Sequence, residues 1–181
     1  MEKTSLYTIG HGNKDLKDFI QELENFFIEY VFDVRSRPVS NFCPHFNRPV
    51  LEYELAKKGI TYVFLGDYLG GLPKDKSCFT NGRVDYKKVR DKDFFKEGIR
   101  LLIEAHEADL KIALMCSERK PEECHRSKLI GQELLYNDIS INHITPEGLK
   151  KQEKIISELT NGQGLKDLFG VNDFTSRKEY L

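Results

Sequence analysis

Five short apolar runs, at 6–9, 30–34, 60–65, 112–115 and 139–144, alternate with stretches of helical spacing, and that alternation limits the fold more than any other feature. After the first run, Leu16, Phe19, Ile20, Leu23 and Phe27 fall on one helical face, with Asn13 as the expected N-cap. A second helix is expected over 49–58, with Pro49 in its first turn and Gly59 as its stop. Asp93 is expected to cap a third, which carries Phe94, Phe95, Ile99, Leu102 and Ile103. A fourth opens near Pro121, and a fifth starts at Pro146 and ends before Asn161-Gly162. Strands and helices in this order predict an α/β fold: a three-layer sandwich around a mostly parallel, five-stranded, Rossmann-like sheet.

The sequence is read as one domain over 1–160, with irregular insertions near 36–48 and 72–92. A polar tail over 161–181 follows, with one docked turn around Leu165 to Phe169. No apolar run reaches the roughly 20 residues of a membrane helix. The first residues, M-E-K-T-S, lack a signal-peptide core, so the expectation is a cytoplasmic protein without membrane contact. Cys43, Cys78, Cys116 and Cys124 are then expected as reduced thiols. A formal charge of -1 argues against a domain that coats nucleic acid non-specifically.

Right-handed crossovers deliver every strand's carboxyl end to one edge, where open α/β sheets bind ligands. That edge collects Gly10-His11, Asp33 to Arg35, Gly66-Asp67, Cys116 to Glu118 and Thr145. Cys116 reads either as a small buried residue or as a nucleophile beside Arg119 and Lys120. A helix begun at Pro121 puts Cys124 on one face with Ser127, Gly131 and Leu135, a face suited to packing. His125 is a candidate general base and Arg126 an anion clamp at the helix start. The glycines around His11 permit close backbone approach to a ligand, although G-x-G-x-x-G is absent. Asp33 and Arg35 alternate at a strand end and point to the same side. The loop with Arg35, Arg37, His45 and Arg48, interleaved with Phe42 and Phe46, has the makings of a grip on an anionic, ring-bearing ligand.

Three sharper motifs do not match. A phosphotyrosine-phosphatase loop needs five residues between its Cys and Arg, whereas Cys116 and Arg126 have nine between them. Asp33-Val34-Arg35 resembles a rhodanese element, but C-S-E-R-K-P lacks the glycine of that sulfurtransferase loop. Structural zinc sites show C-x(2–4)-C pairs, and the spacing here does not call for one. Cys116, Cys124, His125 and one of His11 or His143 would have to meet through folding, so no residue is assigned to a metal.

Taken together, T-I-G-H-G, F-D-V-R-S-R-P-V-S, F-N-R-P-V-L, I-T-Y-V-F-L-G-D-Y-L-G-G, L-M-C-S-E-R-K-P-E-E-C-H-R-S and N-H-I resemble the successive motifs of family 488 of the domains of unknown function (DUF488), from about Tyr7 to Ile144. The resemblance implies a cytoplasmic α/β domain of bacteria or archaea, without a settled activity. Its motif positions fall on Gly10, His11, Asp33, Arg35, Pro38, Ser40, Phe46, Gly70, Gly71, Cys116, Glu118, Cys124, His125, Arg126 and His143.

The first expectation is an enzyme, hydrolase or transferase, acting on a small anionic substrate that is nucleotide-like or derived from nucleic acid. Its catalytic set is His11, Asp33, Cys116, Glu118 and His125. Its binding set is Gly10, Arg35, Ser40, Arg126 and His143. The competing readings are a non-catalytic nucleic-acid-binding module, a metal-binding protein, and a sulfurtransferase-like protein using Cys116 and Cys124. The sequence names neither a cofactor nor an oligomeric state.

Overall fold

The structure, a computed structural model, describes residues 5–167, 170–171 and 173–181. In chain order the elements begin β1 (Leu6–Gly10), α1 (Leu16–Asn25), β2 (Tyr30–Asp33), α2 (Arg48–Ala56), β3 (Thr61–Phe64) and α3 (Gly66–Leu69). A small module follows: β4 (Phe79–Thr80), β5 (Arg83–Asp85) and α4 (Tyr86–Arg90). Then come α5 (Asp93–Glu107), β6 (Ile112–Cys116), a π-wound turn Arg126–Gly131 running into α6 (Gln132–Tyr136), β7 (Asn142–Thr145), β8 (Gly148–Lys151) and α7 (Gln152–Leu159). The last strands are β9 (Lys166–Asp167), β10 (Gly170–Val171) and β11 (Thr175–Glu179).

The central sheet has six strands in the order β3-β2-β6-β1-β7-β8. The first five are parallel and β8 is antiparallel. The α/β architecture expected from the sequence is therefore present, with six strands in place of five. Pro146, expected to open the last helix, lies instead in the tight β7–β8 connection, which closes where Thr145 Oγ1 donates to the Gly148 carbonyl (2.8 Å). The helix starts six residues later, at Gln152.

Strand β6 is buried along its whole length, as a central parallel strand covered on both faces must be. Ala113 and Met115 face α1 and α2 through Phe19, Leu23, Leu51 and Leu55. Ile112, Leu114 and Cys116 face the other layer, with Leu69, Phe95, Leu102, Leu129 and Leu134. Alternation along the strand therefore turns Cys116 toward the layer that contains the 126–136 helix.

The 72–92 stretch, expected to be irregular, contains a hairpin over 79–85 followed by α4. Asn81 (φ 48°) and Gly82 (φ 76°) make the left-handed turn between β4 and β5 that an Asn-Gly pair favours. The chain after 173, expected as a polar tail, returns as β11 and pairs antiparallel with β5. The docked turn expected over 165–169 runs into residues 168–169, which lie outside those described. No helix among the described residues is long and apolar enough to cross a membrane.

Behind the sheet edge a buried polar chain ties four elements together. Thr8 Oγ1 donates to His143 Nδ1 (2.6 Å), His143 Nε2 donates to Gln152 Oε1 (2.6 Å), and Gln152 Nε2 donates to the Ser127 carbonyl (3.0 Å). A side-chain amide oxygen only accepts, which fixes the neutral tautomer of His143. Burial, with Arg126 nearby, lowers its pKa from 6.5 to about 3. A base held neutral in this way contributes full stability above pH 6.5 and loses it as the pH falls toward 3. Chemical denaturation of the wild type is expected to show an acid loss steeper than that of His143→Gln by about 1.4 kcal/mol per pH unit in that window. Identical slopes would remove His143 as the cause.

Candidate functional site

The parallel strands end together, and the ladder continues past them: the His11 and Gly12 amides donate to the carbonyls of Cys116 and Ser117 (both 3.0 Å). Gly10 is needed here because a Cβ would sit 2.0 Å from the Glu118 carbonyl oxygen. Pro121 then opens a 3-10 turn, after which Cys124 is extended (φ -116°, ψ 148°). Its carbonyl accepts from Ser127 and Lys128, so Cys124 is the cap of the following helix rather than a member of it. This corrects the expected packing face shared with Ser127 and Gly131. Placed at the cap, its sulfur turns toward Cys116.

The result is a compact cluster. Cys116 Sγ donates to Glu118 Oε2 (2.9 Å) and lies 3.8 Å from His125 Nδ1, while Cys124 Sγ is 3.7 Å from the same nitrogen. His125 Nε2 donates to the Val34 carbonyl (2.9 Å), so in the neutral ring Nδ1 turns its lone pair toward the sulfurs; burial disfavours the imidazolium, but Cys116, Glu118 and the Val34 carbonyl outweigh it and raise the pKa above the ordinary value. Burial opposes ionisation of Cys124, but the Cys116 thiol, the Arg126 guanidinium and the Arg126 amide at 3.5 Å outweigh it and hold its pKa below the ordinary thiol value. The neighbouring sulfur and burial push Cys116 well above it. Burial also works against the Glu118 carboxylate, but the Cys116 hydrogen bond and His125 bring its pKa below the usual value.

This cluster floors a cavity of about 190 Å³. Its rim carries Arg35 and Arg37 from the loop after β2, and Arg177 and Lys178 from β11. Four cations therefore face two carboxylates, Glu118 and Glu123, and Arg177 bridges to Glu123 across the mouth (2.8 Å). Gly71 and Tyr86 line the wall, together with Ser176 from the last strand and Tyr180 just after it.

Arg35 is already held. Its Nε and Nη2 grip Asp33 (2.9 and 2.6 Å), Nη2 also donates to the Phe46 carbonyl (2.8 Å), and Nη1 lies 3.4 Å from His11 Nε2. Asp33 accepts further bonds from the Arg35 amide (3.0 Å) and Tyr62 Oη (2.7 Å), and is fully buried. His11 stacks on Phe46 (centroids 4.3 Å apart) and donates Nδ1–H to the Gly12 carbonyl. Burial and Arg35 lower its pKa to about 4, so it stands as a neutral acceptor.

Of the residues singled out from sequence, Arg35, Cys116, Glu118 and His125 line the cavity, and so does Cys124. Asp33 and His11 stand one step behind, against Arg35. Arg126 is fully buried and spends its guanidinium on the carbonyls of Glu118 (2.5 Å) and Arg119 (3.0 Å), bracing the loop that carries Glu118. Gly10 sits beneath that same loop. Ser40 accepts from the amides of Phe42 and Cys43 (3.2 and 3.1 Å) within its own loop, and His143 belongs to the polar chain behind the sheet. Of the loop's rings and cations, Phe46 is buried and Arg48 lies over Phe64, whereas Phe42 is 98% exposed. Sequence reasoning missed Tyr86, Ser176, Arg177, Lys178 and Tyr180. Nothing local marks them, since β11 reaches the site through pairing with a hairpin about ninety residues earlier.

A family model described as "Domain of unknown function DUF488" matches residues 15–132. No curated protein and no solved structure matches the chain.

Proposed function

The chain belongs to the DUF488 family, whose description carries no activity, and from the site itself we propose an enzyme acting on a small anionic substrate at the carboxyl edge of the sheet. The observation that carries this reading is the pairing of a cationic rim with a floor of two thiols, an imidazole and a carboxylate in mutual contact. Each part alone has a bland explanation: surface cations are common, and buried cysteines pack well. Together they provide electrostatic capture above and reactive groups below, which is the arrangement expected of a ligand site. A cavity of about 190 Å³ is smaller than those of drug-sized ligands, roughly 300–1,000 Å³. It therefore suits a phosphate-like or carboxylate end of a substrate better than a whole nucleotide.

In this reading Arg37, Arg177 and Lys178 attract the anion, and Arg35, pinned by Asp33, offers a rigid positive wall. Glu118 and His125 flank the place where the anion meets the thiols. Thermal melting against pyrophosphate and nucleoside monophosphates tests the proposal. A ligand at about a hundred times its dissociation constant adds about 2.7 kcal/mol, roughly 5–10 °C for a chain of this size. The shift is expected to fall sharply with salt and to shrink in Arg37→Ala. No shift across the panel, or one that Arg37→Ala leaves intact, would sink it.

A further inference from the structure

We propose that Cys116, Cys124 and His125 form a binding site for a zinc-class divalent metal, with the remaining coordination position open to the cavity. The inference deepens the anion-site reading and rests on that cavity being where ligands enter.

The first support is geometric. One ligand atom from each of the three residues lies within 4.8 Å of the others. With zinc–sulfur bonds near 2.3 Å and zinc–nitrogen near 2.0–2.1 Å, a tetrahedral centre sets sulfur and nitrogen about 3.6 Å apart. The two sulfurs lie 3.8 and 3.7 Å from His125 Nδ1, so a metal fits between them with small side-chain adjustments.

The second support is the outer sphere. A ligating histidine almost always gives its other N–H to a carbonyl or carboxylate, and His125 Nε2 donates to Val34 O at 2.9 Å. That bond fixes the ring so that Nδ1 points at the sulfurs before any metal arrives, and the neutral imidazole offers its lone pair there. The Arg126 amide, 3.5 Å from Cys124 Sγ, supplies the hydrogen bond a thiolate ligand needs. A purely packing role for the thiols explains neither the aimed lone pair nor the carboxylate 2.9 Å from Cys116 Sγ.

The third support is the donor set. Two thiolates and an imidazole suit zinc and its neighbours rather than magnesium or calcium, which take oxygen. Three protein ligands with an open side are the mark of a catalytic centre, whereas structural zinc closes its shell with four. The open side faces the cationic rim, where an anionic substrate would meet the metal.

The test uses the full chain, reduced and stripped of metal, and titrates it with cobalt(II). One equivalent is expected to produce the strong visible absorption of a tetrahedral site and a near-ultraviolet thiolate charge-transfer band, both erased by zinc. Cys116→Ser, Cys124→Ser and His125→Ala should weaken binding by more than the roughly 10–100-fold that losing an outer-sphere partner costs. Gly71→Ala keeps every ligand but places a Cβ 2.7 Å from His125 Nδ1, so it too should weaken binding. Cys43→Ser and Cys78→Ser, at thiols outside the cluster, should leave it unchanged, and near-ultraviolet circular dichroism verifies the fold of each variant. Absence of the cobalt spectrum in the reduced wild type, or its survival in both Cys116→Ser and Cys124→Ser, overturns the proposal. Pyrophosphate binding separates the two readings: Arg37→Ala should impair it while sparing cobalt, so either can fail alone.

Discussion

Asp33→Ala is expected to lower stability by about 3–5 kcal/mol, the usual cost of stranding a buried charge by deleting its partner. The carboxylate is fully buried and accepts from the Arg35 amide, the Arg35 guanidinium and Tyr62 Oη. Without it Arg35, itself 5% exposed, keeps its charge but loses the anion that compensates it. For a chain of 181 residues the melting temperature should fall by roughly 10 °C. The decisive comparison is the double variant Asp33→Ala with Arg35→Met, which removes both charges and should regain much of the loss. Urea denaturation of the four cycle members measures it. A single-variant loss below about 1 kcal/mol would mean that water reaches Arg35 and the pair is not a rigid wall.

Arg126→Met should cost about 2–4 kcal/mol, for a different reason. Arg126 has no carboxylate partner within salt-bridge distance among the described residues; its guanidinium is spent on the carbonyls of Glu118 and Arg119. Each hydrogen bond to a charged group is worth about 1.5–3 kcal/mol, part of which is recovered when the buried charge is removed. The loop from Ser117 to Glu123 should then loosen. Limited trypsin digestion reads this directly, because Arg119 and Lys120 lie in that loop and should be cut faster than in the wild type. Unchanged cleavage together with unchanged stability would show that the two carbonyls find other donors, and the bracing role would be lost.

The parallel core was legible because most of its strands sit in short, largely apolar runs, and a strand such as 112–116 has few other options once buried on both faces. Knowing the strands gave their common edge, and with it Arg35, Cys116 and Glu118. Cys124 was harder to place. Proline is favoured in a helix's first turn, so Pro121 suggested a helix that already contained Cys124. The 3-10 turn and extended cap delay that helix and re-aim the sulfur, which no periodicity reveals. Pro146 misled in the same way, with Gly148 (φ 111°) marking a hairpin instead. The β4–β5 hairpin did carry a signal, the Asn81-Gly82 pair, but its strands of two and three residues are too short to show alternation. The roles of Arg126 and His143 were hidden for another reason: a charged or titratable residue gives the same letter whether it faces a ligand or braces a carbonyl.

Floor and rim belong to different parts of the molecule. The thiols and imidazole are tied to β6 and the helix beside it, deep in the six-stranded sheet. Arg177 and Lys178 ride on β11, in a three-stranded sheet of its own with exposed side chains. Substitutions at Arg177 and Lys178 leave the packing of the core untouched, so under the proposed function these two rim positions are free to drift and change which anion is admitted, whereas Arg35, buried against Asp33, is not. The floor has no such freedom, because altering it disturbs buried neighbours.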